Sequence, residues 1–120
     1  MKRSFTVPGR PVPKTRMTRR GKWTKRARAT LAYQKAVAWC AKAAHIPTFH
    51  GYVRLTAKIY LKNLGHRGDL SNYIKAIEDG LQYAGVLEND RQVIQYGEGT
   101  GIYQGEPERA EIALETLEAQ

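Results

Sequence analysis

From Gly51 to Lys62 the side chains alternate without a break. Val53, Leu55, Ala57, Ile59 and Leu61 are apolar, and Arg54, Thr56, Lys58 and Tyr60 stand between them. A period of two puts the two sets on opposite faces of one strand, half buried and half wet. A second pattern follows at once. Leu70, Tyr73, Ile74, Ile77, Leu81 and Ala84 keep the i, i+3, i+4, i+7 spacing of a core-facing helix over about 70–84, and Gly85 fits the position just past its end.

The remaining elements are weaker signals. Arg3–Val7 alternates and predicts a short first strand. Pro8, Gly9, Pro11 and Pro13 then impose a loop that runs to about Trp23. Thr24 is a suitable N-cap for a helix over about 25–44 that Pro47 brings to an end, with Leu31, Val37, Ala38, Trp39 and Ala41 as its apolar side. Gln92–Gly97 and Ala110–Leu117 read as two more strands, joined by a Gly-rich connection over 97–107. The order β-α-β-α-β-β predicts a single α+β domain over 1–120, with a small mixed sheet of about four strands and two main helices.

Charge is segregated along the chain. Residues 1–68 hold 17 Lys and Arg and no Asp or Glu, whereas 69–120 hold 3 Lys and Arg and all 11 acids. An acid-free basic half implies a polyanionic partner, because Lys and Arg gain affinity by displacing counterions from phosphates. The loop residues Lys14, Arg16, Arg19, Arg20 and Lys22 are the first candidates for DNA contact. His66 and Arg67 join them in the turn before the second helix, and Asn72 in its first turn is a further candidate. No apolar run is long enough for a membrane span or a secretory leader. The single cysteine, Cys40, excludes an internal disulfide. A cytoplasmic protein is the expectation.

The first acid in the chain, Asp69, stands at the start of the second helix, where capping of free backbone N–H groups is its ordinary use. Lys75 and Asp79 are spaced for a surface ion pair. Asp90 follows a turn. The helix is about 22 Å long at 1.5 Å per residue. Residues 85–90, if extended, can span about 20 Å back along it. Asp90 can therefore approach Asp69 on a nearly straight return, and two carboxylates there would suit Mg²⁺, which keeps waters for substrate phosphate oxygens. A metal-activated water and a stabilised leaving oxygen are what phosphodiester hydrolysis requires.

Asp69-Leu70-Ser71-Asn72, Lys75-Ala76, Asp79-Gly80-Leu81, Gly85 and Asp90, with Gln92-Val93 behind and Gly9–Lys14 upstream, resemble the RusA family of Holliday junction resolvases. The resemblance implies a Mg²⁺-dependent homodimer that nicks two strands of four-way junction DNA symmetrically, with no small-molecule cofactor. It implies Asp69 and Asp90 as acidic ligands, Lys75 as the catalytic lysine, and Asn72 as the asparagine that follows the acidic pair. Two positions depart from the pattern. Ser71 stands where the family carries a second Asp, and Asn89 where it carries the first of an Asp-Asp pair; Ser71 Oγ or a water would take the vacated metal position. A non-catalytic junction-binding protein on the same scaffold is the alternative.

Overall fold

A computed structural model of the chain describes residues 1–15 and 25–117. Strand β1 (Lys2–Pro8) leads through the Pro-rich segment to helix α1 (Lys25–Ala43). Strand β2 (Val53–Leu61), helix α2 (Leu70–Tyr83), a single 3₁₀ turn (Asp90–Gln92) and strands β3 (Val93–Tyr96), β4 (Gly101–Gln104) and β5 (Arg109–Thr116) follow. The basic residues Arg16, Arg19, Arg20 and Lys22, and the predicted N-cap Thr24, lie outside the described residues.

The sheet is mixed. β5 pairs antiparallel with both β1 and β2, while β3 and β4 share the other edge of β2, each parallel to it. A parallel neighbour needs a crossover, and α2 provides it between β2 and β3. β2 keeps its alternation through its whole length: Val53, Leu55, Ala57, Ile59 and Leu61 are fully buried. These join Phe5 and Val7 of β1, Ala110, Ile112 and Leu114 of β5, and the buried faces of both helices in one core cluster. The helices therefore cover one face of the sheet and leave the other polar.

Two expectations need correction. The connection over 97–107 contains a fifth strand, β4. Four residues beginning with Gly101 carry almost no local signal; β4 forms because β2 offers an open edge, and Tyr103 stacks on Tyr60 at 5.4 Å. On α1, Leu31 and Trp39 face solvent, with Trp39 74% exposed. Ala27, Thr30, Tyr33, Val37, Ala38 and Ala41 make the buried side instead, since small residues let α1 lie close to α2. No helix among the described residues is long and apolar enough to cross a membrane.

Candidate active site on the second helix and its return

α2 ends as the sequence predicts. Gly85 N–H bonds to the Gln82 carbonyl and Val86 N–H to the Leu81 carbonyl, a paired closure that ties off the last turn and reverses the chain. The return is held extended. Phe49 N–H donates to the Val86 carbonyl at 2.8 Å, and Leu87 forms a parallel bridge with Phe49.

The turn that carries Asp90 is locked by its neighbours. Asn89 Oδ1 accepts the Arg91 N–H at 2.6 Å, and Gln92 Oε1 accepts the backbone N–H groups of Glu88 and Asn89. The Gln92 amide then donates to the Phe49 and Gly51 carbonyls, both at 2.8 Å, which anchors the turn beside the start of β2. Asn89 thus has a structural use where the family pattern carries an acid: Asn and Asp cap a helical turn about equally well. Asp90 is exposed, and its negative charge is felt by Glu78 and Tyr96.

Along α2, at roughly 100° per residue, Ser71, Lys75 and Glu78 form one stripe, with Asn72 and Asp79 beside it. Glu78 is 8% exposed, and its Oε2 accepts from the Tyr96 hydroxyl at 3.4 Å. Burial pushes its carboxyl up to about 7, helped by the negative charge of Asp90, while the Tyr96 hydrogen bond works the other way. Burial and the Glu78 carboxylate in turn push the Tyr96 hydroxyl up. Glu78 and Tyr96 had no role in the sequence reading. The available signal was an acid one turn beyond Lys75 on the same stripe.

Asp69 occupies the N-cap position of α2, but its side chain makes no capping hydrogen bond. Only its backbone carbonyl accepts, from Asn72 and Tyr73. Among the described residues its carboxylate has no partner, so the ordinary structural use of an acid here is not what this one does. The expected Lys75–Asp79 pair is also replaced. Asp79 Oδ2 lies 2.8 Å from Lys14 Nζ and accepts from Gln34 Nε2 at 3.2 Å, which leaves Lys75 exposed. Lys14 is thus engaged by the protein itself, and its N–H donates to the Asn72 carbonyl at 2.9 Å. His66 and Arg67 are exposed in the turn before Asp69.

Among the described residues no three His, Cys, Asp or Glu side chains converge as a metal cage. Mg²⁺ does not require one: it commonly takes one or two carboxylates, with waters and substrate phosphates completing the shell. The candidate donors Asp69, Ser71 and Asp90 are all oxygen, the donor chemistry such an ion takes.

Asp69, without a side-chain partner among the described residues, and the exposed Lys75 stand at the start of one helix in an α+β domain whose first 68 residues hold no acid. Residues 8–115 match the family model described as Endodeoxyribonuclease RusA, and the chain belongs to that family. No curated protein is similar enough to the chain to match it.

Proposed function

We propose that this chain is a Mg²⁺-dependent endonuclease that resolves four-way DNA junctions by paired, symmetric nicks, acting as a homodimer. The observation that carries the reading is Asp69: an N-cap carboxylate left out of capping, and the first acid after 68 residues without one. Asp69 and Asp90 would hold the ion, with Ser71 Oγ or a water in the place of the absent second acid. Mg²⁺ supplies charge neutralisation at the phosphate and a water of lowered pKa. Lys75 holds its ammonium toward the scissile phosphate and offsets the negative charge that builds on its oxygens. Asn72 and the cations of the first half position the DNA. Symmetric cutting needs two copies of the site, which a two-fold dimer provides.

The test is cleavage of a synthetic four-way junction with Mg²⁺ and with EDTA. Asp69→Asn and Asp90→Asn should each lower single-turnover cutting by at least about a hundredfold, in the range seen when one electrostatic element of a site is removed. Junction binding in EDTA should hold or tighten, because a negative charge near phosphate is lost. Wild-type binding without cutting would favour the non-catalytic alternative. Full activity in both variants would remove these residues from the site.

A further inference from the structure

Beside Asp69 the described residues enclose a cavity of about 430 Å³, walled by the end of the Pro-rich segment, the first turn of α1 and the turn before α2. Lys14, Arg26, His66 and Arg67 line it together with Gly68 and Asn72, and no acid does.

The walls are fastened to one another. Thr30 Oγ1 donates to the Pro13 carbonyl at 3.0 Å and ties the Pro-rich segment to α1. Lys14 N–H ties the same segment to α2 through the Asn72 carbonyl. Gly68 lies so close that a Cβ there would fall 2.8 Å from Pro13 Cγ. Its N–H donates to the Tyr73 hydroxyl at 3.2 Å. Of the four basic groups only Lys14 has an acidic partner among the described residues, Asp79. Among the described residues the Arg67 guanidinium donates only to the Gly68 carbonyl, at 3.4 Å. The Arg26 and Arg67 guanidinium groups line the cavity without an acidic partner among the described residues, and a guanidinium matches the geometry of phosphate oxygens.

We infer that this cavity is a phosphodiester subsite, with Arg26 and Arg67 as its anion-binding groups, and that it holds the DNA phosphate next to the one cut at Asp69. The inference rests on the reading of the chain as a DNA endonuclease, and it adds a residue of α1 to the DNA-contacting set.

The experiment has two arms. In the first, wild type, Arg26→Gln, Arg26→Lys and Lys42→Gln are titrated with a labelled four-way junction in EDTA over a salt series. Lys42 sits 16 residues further along α1, about 24 Å from Arg26 along the axis, and controls for the loss of any one cation. Arg26→Gln should weaken binding about tenfold, as expected for one charge-assisted contact. It should also flatten the slope of log affinity against log salt by about one. Arg26→Lys should recover most of the salt slope, and Lys42→Gln should stay near wild type. Equal effects of Arg26→Gln and Lys42→Gln would overturn the subsite. In the second arm, inorganic phosphate is titrated into wild type while backbone amide shifts are followed. Shifts at Arg26, Gly68 and Asn72 that vanish in Arg26→Gln support the cavity, and their absence from wild type overturns it. If the wild type neither binds nor cuts junctions, the endonuclease reading fails by itself; a persisting phosphate response would separate that failure from failure of the cavity.

Discussion

Glu78 keeps its proton to a higher pH than a carboxylate in water, because burial and Asp90 both penalise its charge. The folded chain therefore binds more protons than the unfolded chain between the ordinary value of 4.5 and about 7. Stability that is complete below this window is lost as pH rises through it. At about 1.4 kcal/mol per pH unit, the loss is on the order of 3–4 kcal/mol. Glu78→Gln should remove that dependence, so that urea midpoints at pH 5 and pH 8 differ less than in wild type. A parallel fall in both proteins would mean that Glu78 ionises freely. This residue also marks a limit of sequence legibility. Asp69, Lys75 and Asp90 stand out by type and spacing, but a buried Glu in a helix looks like any surface Glu until β3 brings Tyr96 against it. Lys14 likewise reads as a free loop cation until α2 supplies Asp79.

Elements with a strong period were legible to within a residue or two. β2 and α2 announce themselves because one face of each is almost wholly apolar, and Gly85 gives the stop. α1 was legible in extent but not in orientation, because its buried side is made of Ala, Thr, Tyr and Val rather than its largest apolar residues. That packing gives a prediction at Gly80, in the last turn of α2. A Cβ there would stand 2.7 Å from Val37 Cβ and 2.9 Å from the Gln34 carbonyl oxygen of α1. On an isolated helix, Gly→Ala gains roughly 1 kcal/mol. Here the helices would have to part, and Gly80→Ala should instead destabilise by about 1–3 kcal/mol, the usual cost of overpacking. Urea unfolding with unchanged m-value is the measurement. A gain in stability would show that α1 yields easily. Because Gln34 and Lys14 both reach Asp79, the same variant should also disturb the wall of the phosphate cavity.

At the scale of the whole molecule, the charge segregated along the sequence is partly interleaved by the fold, which pairs Lys14 with Asp79, Arg54 with Glu115 and Lys62 with Glu106. One such protomer, of 13.6 kDa and net charge +9, carries one copy of the site. Resolving a junction by paired nicks requires a second copy, related by an axis that matches the symmetry of the junction. The active species should therefore have twice the mass of one chain by sedimentation at the concentrations where cutting is measured. Subunit mixing makes the argument sharper. If wild type is mixed with an excess of Asp69→Asn protein and allowed to exchange, most wild-type subunits end up paired with an inactive one. On a junction trapped in a small supercoiled circle, such mixed dimers should give singly nicked circles in place of the linear product of two cuts made within one binding event. Linear product that falls only in proportion to the remaining wild-type protein, with no rise in nicked circles, would mean that the sites do not work in pairs on one junction. A monomeric species that still yields linear product would sink the dimer outright, while leaving the assignment of Asp69 and Asp90 to be judged on its own variants.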